Sequence, residues 1–173
     1  MIKDEFQIRL LRLEDKLFRM AFSIVFNRDL ASDMTQETML VLWERRQKLE
    51  NTSNLEGYAI TIIKNLCFDV LRRQKFFEEN ILPRFSEMKE SCGENYTQKE
   101  EIELLFSLLE KVKPEHRLVF VMKTIEGYTY EEIGMVTKRK HSNLRKIVSR
   151  VRQGLRDSLN TFNDEKRNKG FVG

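Results

Sequence analysis

Apolar residues three and four positions apart recur along most of this chain, and very little interrupts them. In QIRLLRLEDKLFRMAFSIVF, Leu10, Leu13, Leu17, Ala21 and Ile24 fall on one stripe of an amphipathic helix. Only seven glycines and two prolines occur in 173 residues. A sandwich or barrel needs far more turn chemistry, so the expected class is all-α.

Asn27 to Asp29 is a polar break. LASDMTQETMLVLWERRQKL then starts a second helix with an inner stripe of Ala31, Met34, Thr38, Val41 and Leu42. Trp43 is large enough to anchor a small core or an interface. ENTSNLEGY interrupts the period with short polar residues. From Leu55 the period resumes through Tyr58, Ile62, Leu66 and Val70, and it ends in charge near Arg73. These helices define a first domain over residues 1–77, near the lower size limit for an independent core.

Residues 78–100 read as a linker, with Pro83, Gly93 and no sustained period. A second domain spans residues 101–160. Ile102, Leu105, Leu108, Leu109 and Val112 mark its first helix, Pro114 suits the first turn of a helix, and Gly127 is placed to end one. Thr129 and Glu132 have capping-box spacing. A short helix to Val136 and a long one from His141 to Leu159 follow, the latter with Leu144, Ile147 or Val148, Val151 and Leu155 inward. Two such helices joined by a tight turn form a helix-turn-helix unit. The expected fold is therefore two small helical domains joined by a linker, with a frayed tail, NDEKRNKGFVG, from Asn163.

Charge is unevenly placed. Residues 1–77 hold 13 basic and 11 acidic side chains, residues 78–100 hold 3 and 6, and residues 101–173 hold 15 and 10. From Lys138 to Arg156 there are eight lysines and arginines and no acid. A polyanion is the natural partner of such a local run, although a solvated basic face would look similar. In a helix-turn-helix unit the second helix enters the major groove and its N-terminal residues meet base edges. Here those residues are His141, Ser142, Asn143, Arg145 and Lys146. Asn143 has the two hydrogen bonds that read adenine, and Arg145 or Lys146 can read guanine. Arg139, Lys140, Arg150, Arg152 and Arg156 are placed for phosphates.

Other classes find little support. Cys67 and Cys92, with His116 and His141, form no zinc spacing or disulfide framework. There is no Gly-rich phosphate loop, so neither an enzyme nor a cofactor is expected. MIKDEFQIRL lacks the apolar stretch of a signal peptide, and no 18-residue apolar run is present. A cytoplasmic protein without membrane insertion is expected.

Three stretches, in order, carry a resemblance to the two-domain sigma factors of bacterial RNA polymerase, the extracytoplasmic-function type of the sigma-70 family. NRDLASDMTQETMLVLWERRQKL resembles their core-polymerase-binding helix, and LEGYAITIIKNLCFDVLRRQK resembles their promoter −10 helix. LEKVKPEHRLVFVMKTIEGYTYEEIG, continuing through NLRKIVSRVRQGLR, resembles their −35-binding domain. The resemblance implies that Asp33, Gln36 and Glu37 grip the polymerase's largest subunit, supported by Leu40 and Trp43. It implies that the loop from Glu50 through Asn51, Thr52, Ser53 and Asn54 captures an unstacked −10 base. On the helix that follows, Tyr58, Asn65 and Asp69 match family positions, and Arg72 and Arg73 would hold phosphates. It implies the −35 element for Arg139, Lys140, His141, Ser142, Asn143, Arg145, Lys146 and Arg150. The expected partners are core RNA polymerase and promoter DNA, with the chain a monomer in the holoenzyme. A membrane-bound anti-sigma factor is typical of the family, though no residue here demands one.

Each assignment has a plainer counterpart. Asp33, Gln36 and Glu37 also describe a polar helix face, and residues 50–54 a polar interhelical loop. Tyr58 also suits a core, Asn65 and Asp69 also suit local bracing, and Arg72 and Arg73 also suit a helix C-terminus. Two departures from the family stand out: Lys138 where glycine is usual at the turn, and Gly134 where alanine is usual. The competing reading is a dimeric helix-turn-helix regulator on a palindromic site; a further one is a relative that kept polymerase binding but lost promoter selection.

Overall fold

The computed structural model describes residues 2–80 and 98–169. Among them lie eight helices: α1 (Ile2–Val25), α2 (Arg28–Glu44), α3 (Arg46–Leu49), α4 (Leu55–Asn80), α5 (Gln98–Lys111), α6 (Pro114–Thr124), α7 (Tyr130–Thr137) and α8 (His141–Lys169). The fold is all-α, as the periodicity implies. Among the described residues no helix is long and apolar enough to cross a membrane.

The breaks have local causes. Phe26 takes the left-handed conformation (φ 51°) at the end of α1. Asn27 then caps α2, its Oδ1 accepting from the Leu30 N–H at 2.9 Å. Pro114 occupies the first turn of α6, and Gly127 has φ 75° just beyond that helix. Thr129 and Glu132 form the expected capping box at the start of α7.

The stripe expected for α1 is buried in full, and so are Ala31, Met34, Thr38 and Leu42 of α2 and the inward residues expected of α8. In α4 the stripe is rotated. Tyr58, Ile62, Leu66 and Val70 form a half-buried flank, whereas Leu55, Ala59, Ile60, Ile63 and Cys67 make the core line. The offset arises because α4 is covered from two sides, by α1 and α2 on one and by α7 on another. One period in the sequence cannot say which of two apolar flanks lies deeper.

Helix extents also differ from the sequence reading. α4 runs past Arg73 to Asn80, and α5 begins at Gln98, so both ends of the expected linker are helical. Pro83, Phe85, Cys92 and Gly93 lie outside the described residues. α8 continues past Leu159 to Lys169, a helix of 29 residues and about 44 Å. Residues 160–169 contain no glycine or proline to stop it.

The buried side chains form one continuous cluster from Phe6 to Leu155. α6 packs against α7 and α8 but also against α1, and α7 packs against α4. The helix-turn-helix part is thus docked on the N-terminal helices.

Candidate nucleic-acid and partner interfaces

One face of α2 is buried and the other is bare. Ala31, Met34, Thr35, Thr38 and Leu42 point inward, and the two threonine hydroxyls bond back to the Ala31 and Met34 carbonyls at 2.7 and 2.8 Å. Asp33, Gln36, Glu37 and Leu40 are all exposed. At about 100° per residue these four fall within roughly 100° of arc, one coherent strip. Leu40 is 57% exposed, an apolar side chain at the centre of a polar strip. Gln36 donates to Glu14 on α1 at 3.2 Å. Trp43 is half-buried, with Phe6 at 6.5 Å and the Arg46 guanidinium at 4.9 Å from its ring.

The polar loop before α4 is held in shape from α1. Arg9 donates to the Glu50 carbonyl at 3.0 Å and to the Thr52 carbonyl at 3.1 Å. Asn54 caps α4, its Oδ1 accepting from the Gly57 N–H at 2.9 Å. That leaves Asn51 and Ser53 exposed and Thr52 half-buried. The Tyr58 ring is half-buried, and its hydroxyl accepts from Arg45 at 2.5 Å. Asn65 and Arg73 are exposed, while Arg72 pairs with Asp69 one turn away.

Two clefts of about 480 Å³ each run along this side of α4. The first has Thr52, Ser53, Asn54 and Tyr58 on one wall and Tyr128, Glu132 and Met135 on the other. The second has Asn65, Asp69 and Arg72 facing Glu115, Thr137 and Arg139. The structure therefore brings most of the expected −10 residues together, and it brings them together opposite α7 and the helix-turn-helix turn.

In the second part, Lys138 ends α7 in the left-handed conformation (φ 58°, ψ 31°), the role glycine usually fills. The α8 side chains Leu144, Ile147, Val148, Val151 and Leu155 are buried. Lys140, His141, Ser142, Asn143, Arg145, Lys146 and Arg150 are exposed on the same helix end. Tyr130 organises part of this face: His141 meets its ring edge-on at 4.9 Å and the Arg145 guanidinium lies 5.7 Å from its centre. Arg139 differs from its neighbours. It is half-buried and donates to Glu115 at 2.8 Å.

Titratable groups in these regions respond to burial. The Cys67 thiol, buried in the core line of α4, is pushed up to about 12. His116 is pushed below its ordinary value by burial and then by Arg139 and Lys113. Among the described residues no group of His, Cys, Asp and Glu side chains is arranged to hold a metal ion.

Comparison with known proteins gives consistent similarities. The sigma-70 region 2 family matches residues 10–77. The chain is 30% identical over 155 residues to the ECF RNA polymerase sigma factor SigE of Mycolicibacterium smegmatis, which covers 87% of this chain and 60% of the relative. The chain is thus similar to sigma factors of the extracytoplasmic-function type along most of its length. A second member, SigX of Bacillus subtilis, is 19% identical over 171 residues, covering 95% of this chain and 88% of the relative. CarQ of Myxococcus xanthus is 27% identical over 111 residues, or 64% of each chain. The chain thus spans less than two thirds of the length of the SigE and CarQ relatives. Its fold matches the sigma factor RpoE of Bartonella quintana, solved with the anti-sigma factor NepR, at a TM-score of 0.73 and 20% identity over 90% of this chain and 97% of that one.

Several residues that shape these surfaces carry no signal in the sequence. Arg9 looks like one more surface arginine on an amphipathic helix, yet it pins the loop. Lys64 donates across to the Val136 carbonyl at 2.7 Å, and Glu56 accepts from both Lys16 and Tyr128. Arg117, in a run of ordinary helix formers, is buried. Each acts through a residue at least 40 positions away in sequence except for part of Arg117's bonding, so no local pattern could single them out.

Proposed function

We propose that this chain directs core RNA polymerase to promoters as a sigma factor. The strip of Asp33, Gln36, Glu37 and Leu40 docks on the polymerase, with Trp43 as its support. The loop 50–54, with Tyr58 and Asn65, captures unstacked bases of the −10 element, and Arg72 and Arg73 hold its phosphates. α8 enters the major groove at the −35 element. Lys140, His141, Ser142, Asn143, Arg145, Lys146 and Arg150 face the DNA there, and Arg139 joins them once released from Glu115. The chain contributes binding energy, and the polymerase supplies the chemistry. Capture of flipped bases shifts the duplex toward its open form.

The observation that carries this reading is the bare strip on α2. Its four exposed residues, Asp33, Gln36, Glu37 and Leu40, form one continuous strip opposite the buried face of α2, a surface on which a partner can dock. The helical likeness to a sigma factor solved with an anti-sigma factor supports a partner of that kind for this chain as well. We place the protein in the cytoplasm, as a monomer within the holoenzyme.

The test is co-elution of the purified chain with bacterial core RNA polymerase on size exclusion. Wild type should co-elute, a Gln36→Ala, Glu37→Ala double variant should not, and a housekeeping sigma factor should displace the wild type. A folded wild type that binds duplex DNA as a stable dimer and ignores the polymerase would overturn the reading in favour of a stand-alone regulator.

A further inference from the structure

Asn143, Lys146 and Arg150 are exposed on α8 and, at about 100° per residue, fall within about 60° of arc, one edge of the helix. Arg150, the last of them, lines a cleft of about 360 Å³. Across it lie Lys111 at the end of α5 and Lys113 and His116 at the start of α6. Val112 and Val151 line the cleft as well, and none of its described lining residues is acidic. Lys113 stands at the N-cap of α6, where its side chain makes no capping bond, and both lysines are exposed.

His116 differs from the cations around it. It is half-buried, and the charged groups that face it come from three sides. Lys113 and Glu115 are on its own helix, Arg139 is in the turn before α8, and Arg150 is on α8, with Lys111 of α5 in the same cleft. Glu115, the one carboxylate among them, is engaged by Arg139 at 2.8 Å. Burial first, and then Arg139 and Lys113, hold the imidazole below its ordinary value of 6.5. Near neutral pH the ring is therefore uncharged in a strongly cationic setting.

The cleft is continuous with the face of α8 read above as DNA-binding. Arg150 belongs to both, and the Arg139–Glu115 pair joins the turn to the first turn of α6. A helix about 10–12 Å across fills a major groove about 12 Å wide, so each flank of the helix lies against one phosphate strand. With Asn143 and Lys146 in the groove, the strand on their side passes this cleft. We propose that it lands there against Lys113 and His116, and that His116 takes up a proton from solvent as it lands, so that DNA binding strengthens as pH falls. This role for His116 rests on the DNA reading of α8.

The charge changes on binding all favour uptake. A phosphate beside the ring favours the imidazolium, which gains an acceptor for its N–H. Arg139, on leaving Glu115 for the DNA, removes a cation from the ring's surroundings and leaves a carboxylate there. The sign follows from linkage. Below the value of the free chain the ring is charged in both states, and above the value of the complex it is neutral in both. Between the two, each duplex bound takes up one proton, and affinity falls by up to about tenfold per unit rise in pH.

Anisotropy of a labelled, short, mixed-sequence duplex with the full chain at low salt reads this, because phosphate contacts do not depend on sequence. The titration runs from about pH 8 to about pH 5, with the imidazole signals of the two histidines followed by NMR. Wild type should bind more tightly as pH falls, and duplex should move the His116 midpoint upward. His116→Gln should lose that part of the slope; any slope left belongs to His141. His116→Arg, permanently charged, should bind tightly with the same loss of slope. Lys113→Gln should lower the salt dependence by about one phosphate contact. A slope in folded His116→Gln equal to that of wild type, or a His116 midpoint that duplex leaves in place, overturns the proposal while the DNA reading of α8 stands. A folded chain that binds no duplex at any pH overturns both, and co-elution with polymerase then decides the sigma reading by itself.

Discussion

The backbone N–H of Lys138 donates to the Gly134 carbonyl at 2.8 Å, closing the last turn of α7 with a lysine in the left-handed conformation. An L-residue with a full side chain pays about 1 kcal/mol for that conformation, and glycine does not. Lys138→Gly should therefore stabilise the protein by about 1 kcal/mol, or roughly 2–4 °C in melting temperature for a chain of this size. Thermal unfolding followed by circular dichroism reads this directly. A lower melting temperature would mean that the lysine side chain contributes more than its backbone costs.

Gly57 lies against its own cap. A Cβ there would come within 2.7 Å of the Asn54 side-chain oxygen and nitrogen. Gly57→Ala should displace Asn54, uncap α4 and cost about 1 kcal/mol, the usual value of an N-cap. Chemical denaturation gives the stability change. Binding of a fork-junction promoter DNA by the holoenzyme should weaken as well, because the cap is the last residue of the loop proposed to capture a base.

Arg9 and the loop form a similar pair at longer range. Arg9→Ala leaves the Glu50 and Thr52 carbonyls to water and should cost about 1–3 kcal/mol, as expected for hydrogen bonds to a charged donor. Promoter opening, followed by permanganate reactivity of unpaired thymines, should fall while polymerase co-elution is retained. Equal loss of both would show that Arg9 serves the whole first domain and not the loop.

Glu56 makes the folded state sensitive to acid. Burial acts to raise its pKa, but the hydrogen bonds from Lys16 and Tyr128 outweigh it and hold the carboxyl below its ordinary value of 4.5. A carboxyl lowered on folding stabilises the folded state fully above that ordinary value, and the contribution is lost as pH falls through the folded value. Wild type should therefore exceed Glu56→Gln in stability near neutral pH, and the gap should close below pH 4.5. Denaturation midpoints of both proteins across that range test it. A gap that persists unchanged at low pH would assign the effect to packing.

Most of the fold was legible because burial follows local period. The inward stripes of α1 and α8 emerged as expected, as did the capping box at Thr129 and the positive φ at Gly127, since each depends on residues within a turn or two. Lys138 stood out in the sequence only as a departure from glycine at the turn; the structure shows that the turn keeps the left-handed conformation with a lysine in it. Gly134 has a reason that only the fold supplies: a Cβ there would lie 3.1 Å from the Arg139 carbonyl, tighter than most real contacts. The α4 stripe was misplaced by one position because its apolar residues cover two flanks. The end of α8 was missed because residues 160–169 hold a single apolar residue, Phe162, and one residue leaves no period to count.

The candidate interfaces divide in the same way. Exposure of Asp33, Gln36, Glu37 and Leu40 follows from the buried spacing of their neighbours on α2, and the cationic end of α8 follows from a run of eight basic residues. The sequence by itself therefore determined the helices, their inner faces and which polar strips remain outside, because all of these are set by interactions within a few residues. Only the tertiary structure decided that Arg117 meets the end of α1 and Lys64 the end of α7, that Arg9 shapes the loop, and that the loop and α4 face lie against the helix-turn-helix part. Those contacts join residues 40 to 94 positions apart, where the deciding energies are desolvation and hydrogen bonding between surfaces that no local pattern describes.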